Sequence, residues 1–219
     1  MNLVHPRTRE VLRPTKLVCV GRNYARHARE MDSPVPAEPV LFLKPPSALI
    51  RAGDNIVLPG VTTEVHHEVE LVVLVGRTAR GVSVGDAMAC VAGYALGLDM
   101  TARDIQARAK EKGLPWSVAK GFDTFAPLGD FSDVLSVPDP HELTIALERN
   151  GEVVQRGSTA DMLFRIPQLI AFASSIFTLE AGDLIYTGTP EGVGPVQPGD
   201  VLLATADPLP ALQVGVIRG

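Results

Sequence analysis

A chain of 219 residues with 46% hydrophobic and 21% charged side chains has the composition of a globular protein with a sizeable core, which excludes a disordered or tail-like chain. Its formal charge of -5, with no run of five basic residues, argues against nucleic acid as a partner. No apolar stretch reaches the roughly 18 residues of a membrane span, so a cytoplasmic protein without a membrane partner is expected.

The 20 glycines and 18 prolines imply many turns and therefore many strands. Lys16 to Val20 is predicted as a buried strand, after which Asn23 caps a short helix from Tyr24 to Met31 with His27 and Glu30 on its polar face. Residues 32–39 hold three prolines and form a loop long enough to move over a pocket. Strands are expected at Val40 to Leu43 and Gly53 to Pro59. From Val65 to Val75 the pattern begins alternating and becomes continuously apolar, as in a strand whose end emerges from a core.

A short helix at Asp86 to Val91 precedes a strand from Tyr94 to Met100 that carries Asp99 at its end. Thr101, with Asp104 three residues on, is the expected cap of a helix running to Lys112 and stopping at Gly113. Asn150-Gly151 between alternating runs marks a hairpin. Thr159 to Phe177 has helical spacing divided or kinked by Pro167, and the last 40 residues read as short strands between glycine-rich turns. Cys19 and Cys90 lie in apolar surroundings without partners at metal-ligand spacing, so both are expected as buried thiols.

Three acids attract attention within this frame. Glu68 and Glu70 are two apart on a predicted strand, so their carboxylates leave one face, together with His66. An ordinary Glu-x-Glu marks a solvated strand end. Here, however, the strand runs into Leu71 to Val75, and like charges beside such a core resist desolvation unless a cation joins them. Asp99 supplies a third candidate oxygen ligand, and an all-carboxylate set suits Mg2+, or Mn2+, better than zinc. His27 and Glu30, at i and i+3, can form a pair in which the carboxylate orients the imidazole, although such pairs are commonly surface ion pairs. Lys120 is a candidate for neutralising a substrate carboxylate or an oxyanion, against the reading of an ordinary surface lysine. The segment from Gly188 to Gly194 lacks the lysine of a phosphate loop, and no Gly-x-Ser-x-Gly element is present.

Taken together, residues 19–27, 40–45, 66–71, 98–106, 120–123 and 186–195 resemble, in order, the fumarylacetoacetate hydrolase superfamily and its short acylpyruvase and oxaloacetate decarboxylase branch. The resemblance implies an α+β, mainly β fold, a mixed β-sandwich roll with a few short helices, usually as a homodimer. It implies Glu68, Glu70 and Asp99 as ligands of Mg2+ (with Mn2+ also accepted), and His27 with Glu30 as the dyad that activates water. Lys120 matches the lysine beside the metal, and Arg22, Arg103, Gln106 and Thr189 match positions that contact substrate oxygens. Residues from 22 to 189 would then meet at one ion, so residues 16–219 are expected as a single catalytic domain after a leader of residues 1–15.

The implied substrate is a small 2-oxo acid. Hydrolysis of acylpyruvates or related 2,4-dioxo acids, through a pyruvate enolate stabilised by the metal, is the first expectation. Oxaloacetate decarboxylation, tautomerisation or hydration on the same site is the alternative, and a metal-binding scaffold without turnover is the reading from another class. The acyl pocket is expected between residues 32–39 and 188–195.

Overall fold

Strand periodicity explains how the chain layers itself. In the strand Val69–Val75, residues Val69, Leu71, Val73 and Val75 enter one hydrophobic cluster, while Val72 and Leu74 enter a second on the opposite face. Both faces are therefore covered, which is why the expected alternation gives way to a continuous apolar run. The structure, a computed structural model, describes residues 1–31 and 34–219; Asp32 and Ser33, within the expected mobile loop, lie outside the described residues.

The largest sheet is mixed. Its order is Val40–Lys44, Leu17–Gly21, Leu184–Tyr186, Val69–Val75, Val91–Leu98, Ala126–Leu128 and Leu49–Arg51, with Ser132–Asp133 added beside Val91–Leu98. Leu17–Gly21 runs parallel to Leu184–Tyr186, and Ala126–Leu128 parallel to Leu49–Arg51; the central pair Val69–Val75 and Val91–Leu98 is antiparallel. A five-stranded sheet of Glu152–Ser158, Thr144–Arg149, Val201–Ala206, Leu209–Arg218 and Asn55–Leu58 packs its apolar face into the first cluster. The helix Ile166–Ile176 adds Ile166, Leu169, Ile170 and Ala173 to that same cluster. A mainly β architecture dominated by two large mixed sheets, with smaller sheets of two and three strands and a few short helices, agrees with the expected fold class.

The register of the central pair determines where the acids fall. Val69 lies opposite Leu98 and Glu70 opposite Gly97. One step beyond, the Asp99 N–H donates to the Glu68 carbonyl at 2.8 Å. Because a slip of one residue would turn every side chain to the other face, the apolar pattern of these two strands is what holds Glu68, Glu70 and Asp99 together.

Local signals placed the elements well but misassigned three caps or breaks. Asn23 does not cap the helix Ala25–Glu30; Tyr24 holds the N-cap position. The Asn23 amide instead donates to the Phe164 and Thr187 carbonyls and accepts from the Phe164 N–H, joining three segments. Thr101 belongs to the two-residue strand Thr101–Ala102, and the helix Arg103–Glu111 has Ala102 at its N-cap. Pro167 does not divide a helix. It stands in the first turn of Ile166–Ile176, where its missing N–H costs nothing.

The hairpin is as expected, with Asn150 and Gly151 both at positive φ, 55° and 83°, between Thr144–Arg149 and Glu152–Ser158. Cys19 and Cys90 are free and buried. Residues 1–15 do not trail away from the body: Leu3–Val4 pairs with Val11–Leu12, and Leu3 and Leu12 enter the second cluster. No helix among the described residues is long and apolar enough to cross a membrane.

Asp183, fully buried, ties the chain start to the sheet. Its carboxylate accepts from the Thr15 N–H at 2.8 Å, the Thr15 hydroxyl at 2.8 Å, the Lys16 N–H at 3.1 Å and the Glu180 N–H at 2.8 Å, and pairs with the Lys16 ammonium. Asp183→Ala leaves those donors without an acceptor, so we expect a loss of about 3 kcal/mol of unfolding free energy. Urea denaturation checks this, and a loss below about 1 kcal/mol would show that water replaces the carboxylate.

Candidate active site

Glu68 sits in the break between the strands Val65–His67 and Val69–Val75, Glu70 within the latter, and Asp99 just past Val91–Leu98. All three are buried, and one oxygen from each lies within 4.8 Å of the other two. Burial, then the neighbouring Asp99 and Glu68 charges, push the Glu70 carboxyl well above its ordinary range; among the described residues its one hydrogen bond is from the Gly188 N–H at 2.7 Å. A hard divalent cation relieves that conflict, and the three carboxylates fit Mg2+ or Mn2+ by charge, donor type and convergence.

Three cations surround the acids from different elements. Lys120, at the end of the short helix Ser117–Lys120, is buried and donates to Glu68 Oε2 at 2.9 Å and Asp99 Oδ2 at 2.6 Å. It is no surface lysine. Arg103 opens the helix Arg103–Glu111, pairs with Glu68 Oε1 at 2.5 Å and donates to Gln106 Oε1 at 2.8 Å. Thr101, released from the capping role, donates its hydroxyl to the same Glu68 oxygen at 3.1 Å.

Burial pushes the Glu68 carboxyl up, but Lys120, Arg103 and His27 outweigh it and hold the group below its ordinary range. Burial likewise lowers Lys120, and Asp99 and Glu68 reverse the sign, leaving the ammonium raised. The third cation, Lys44, was not singled out by sequence. Its Nζ lies 2.6 Å from Asp99 Oδ1 and donates to the Met100 carbonyl at 3.0 Å and to that of Phe125, wholly buried behind the site.

His27 and Glu30 also meet. His27 Nδ1 is 3.2 Å from Glu30 Oε2, and Glu30 Oε1 accepts from the Gly192 N–H at 3.0 Å, linking the helix Ala25–Glu30 to residues 188–195. With the carboxylate ionised, Nδ1 carries the proton and Nε2 keeps a lone pair. The imidazole lines an open pocket together with Arg22, Glu68, Glu70, Arg103, Gln106, Lys120 and Thr189. Every sequence-predicted site residue except Glu30 and Asp99 thus faces one pocket, and those two contact residues that do. His66 does not join the acids: the strand breaks at Glu68, and its Nε2 pairs with Glu64 Oε1 at 2.8 Å.

Gln155 was also missed. Its Oε1 accepts from the Val69 N–H at 3.1 Å, and its Nε2 donates to the Pro190 carbonyl at 3.0 Å, which fixes the orientation of the amide. The same Nε2 therefore donates to Thr189 Oγ1 at 2.9 Å, and the Thr189 hydroxyl proton has no acceptor among the described residues. His67 Nδ1, 2.8 Å from Gln155 Oε1, is then the protonated ring nitrogen. Gln155 sits in the outer strand of the five-stranded sheet, and nothing in its local sequence signals this role.

Fold and site together define a class of β-rich domains with a buried cluster of three carboxylates, able to hold a metal ion, between strand ends. Residues 16–217 match the fumarylacetoacetate (FAA) hydrolase C-terminal family, and the chain belongs to that family. It is 52% identical over 188 residues to the human mitochondrial oxaloacetate tautomerase FAHD1, covering 86% of this chain and 85% of that one. Identity to the protein of the same name from Arabidopsis thaliana is 50% over 204 residues, 93% and 92% of the two chains. Among solved structures, a fumarylpyruvate hydrolase from Pseudomonas aeruginosa in complex with Mn2+ and pyruvate matches at a TM-score of 0.92 and 37% identity, covering 100% of this chain and 96% of that chain.

If Glu70 is a ligand, its raised carboxyl must first give up a proton, so metal binding is expected to release protons and to weaken as pH falls. Calorimetry of Mn2+ binding in buffers of different ionisation enthalpy should show this release. Glu70→Gln should weaken binding at least tenfold and abolish the release; an unchanged affinity would remove Glu70 from the metal set.

Proposed function

We propose that this chain is a divalent-metal-dependent enzyme acting on small 2-oxo acids, its central step a proton transfer at carbon 3. The observation that carries this reading is one pocket lined by His27, Glu68 and Glu70, with Asp99 completing the buried acidic triad behind it and Glu30 3.2 Å from the His27 ring. Glu68, Glu70 and Asp99 would hold Mg2+ or Mn2+, which would supply a Lewis acid toward the 2-oxo acid. His27 Nε2 acts as the base that takes a proton from carbon 3, and Glu30 holds the ring and stabilises its cationic form. Returning that proton to the other terminus of the enolate interconverts keto and enol forms. Lys120 and Arg103 keep positive charge beside the oxygens, and Thr189 donates its free hydroxyl proton.

Charge favours a dianion. Glu68, Glu70 and Asp99 are matched by Lys44, Lys120 and Arg103, so a divalent ion leaves the centre with two positive charges. Keto–enol interconversion of oxaloacetate fits this balance and accords with the names of the relatives at about 50% identity. Hydrolysis of the C3–C4 bond of acylpyruvates is the second reading, favoured by the same dyad, since His27 can equally activate a water at a C4 ketone. The products would be pyruvate and a carboxylic acid. Oxaloacetate decarboxylation needs no water and so depends less on His27.

With Mg2+ present, the protein should speed loss of enol-oxaloacetate absorbance and release pyruvate from acetylpyruvate. His27→Gln should lower the proton-transfer rate about 100-fold or more, while decarboxylation falls less. No acceleration over free metal, or wild-type rates in His27→Gln, would overturn the reading.

A further inference from the structure

Beyond the triad, the pocket carries two cations that nothing else in the described structure neutralises. Arg22 and Lys110 both line it, and neither makes a salt bridge or hydrogen bond with a carboxylate among the described residues. Both approach one indole: the Arg22 guanidinium carbon and the Lys110 Nζ each lie 5.8 Å from the Trp116 ring centroid. The indole is itself held by Phe42, edge-on at 5.8 Å, and by the Gly21 backbone, where a Cβ would come within 3.4 Å of the ring.

Arg22 is kept there at φ 60°, a conformation unfavourable for a residue with a side chain that persists only where surrounding structure imposes it. Partial burial, then repulsion from Arg103 and Arg22, lowers the Lys110 pKa against the opposing pull of the Glu68 charge.

We infer that Arg22 and Lys110, seated on Trp116, form a subsite for the distal carboxylate of a 2-oxo dicarboxylic acid whose 2-oxo end lies at the acidic triad. This rests on the 2-oxo acid reading above and adds the feature that selects dicarboxylates over monocarboxylates. Lys110 touches none of the triad, so it sets affinity at the far end and leaves the chemistry at carbon 3 to His27. The apolar wall of Val20, Met31 and Phe42 spaces the two ends of the ligand.

Trp116 is the one tryptophan of the chain, so its emission reports directly on this subsite. The test uses Mg2+-loaded protein titrated with 2-oxoglutarate and with 2-oxovalerate, equal in chain length but differing in the distal carboxylate. Emission gives the Kd values and calorimetry is the second readout. Wild type should prefer 2-oxoglutarate at least tenfold. Lys110→Met should bring the two affinities within about threefold by weakening 2-oxoglutarate alone, and Lys110→Arg should restore most of the preference.

No preference in the wild type, or one that survives Lys110→Met, overturns the subsite. Lys110 is exposed on its helix, so circular dichroism should show an unchanged fold. The binding ratio is independent of turnover. An enzyme inactive on oxaloacetate and acetylpyruvate would defeat the catalytic reading while the ratio still decides the subsite; an active enzyme without the preference would do the reverse.

Discussion

Three carboxylates cannot be buried side by side without cations, and much of this molecule follows from meeting that requirement. An isolated ionised carboxylate in a low-dielectric interior is prohibitively costly, and two like neighbours raise the cost further. Here Glu68, Glu70 and Asp99 are met by Lys44 from the strand Val40–Lys44, Arg103 from the helix Arg103–Glu111 and Lys120 from the helix Ser117–Lys120. Each cation fastens one element to the end of the central strand pair. Electrostatics and topology are thus one constraint: the register of Val69–Val75 against Val91–Leu98 brings the acids together, and the surrounding elements must pass close enough to deliver the cations. The pairing is uneven, because Lys120 and Arg103 serve Glu68 while Glu70 has, among the described residues, only a backbone N–H. That residual conflict on Glu70 is what a divalent ion is suited to resolve.

A second network reaches the pocket from the other sheet. Gln155 links the Val69 N–H, the Pro190 carbonyl and Thr189, so the five-stranded sheet helps to position residues 188–195. Its neighbour Gly157 has room for no side chain, since a Cβ there would come within 2.4 Å of Pro190. The same stretch meets Glu30 through the Gly192 N–H and Glu70 through the Gly188 N–H. The acidic triad, the His27–Glu30 pair and the Thr189 hydroxyl are therefore coupled through one short segment. A polar group buried in such a network is worth more than its pairwise bonds, because losing one member strands the others.

The legible part of the site was the part that violated a local rule. Acidic residues entering an apolar strand, at Glu68, Glu70 and Asp99, stand out because burial without a partner is forbidden, and the i, i+3 pair of His27 and Glu30 is visible in helical spacing alone. Lys44 was not legible as a partner: a lysine ending a strand normally leaves for solvent, and only the fold reveals that it ends beneath Asp99. Gln155 was hidden for a similar reason, being 88 residues from His67 and on a different sheet. Asn23 and Thr101 show the converse error. Both carry good capping chemistry, but their side chains were needed for tertiary bonds, Asn23 to the Phe164 and Thr187 carbonyls and Thr101 to Glu68, and the helices begin without them. Fold-level patterning survived because periodicity is averaged over many residues, whereas a cap depends on one.

On the proposed chemistry, the two ends of the pocket have separate tasks. The triad end handles the carboxylate and 2-oxo oxygens shared by all candidate substrates, so it cannot by itself distinguish an oxaloacetate from an acylpyruvate. Nor can the His27–Glu30 pair, since one imidazole can move a proton at carbon 3 or from a water. Discrimination must come from what lies beyond carbon 3, and there the pocket offers an apolar wall at Phe42 and Met31 beside two cations at Arg22 and Lys110. An apolar wall separates ligands by about 1 to 3 kcal/mol per group, whereas charges that lose their partner separate them more strongly. The choice of substrate therefore turns on whether the far group of the ligand carries a charge, and the reaction at carbon 3 follows from that choice.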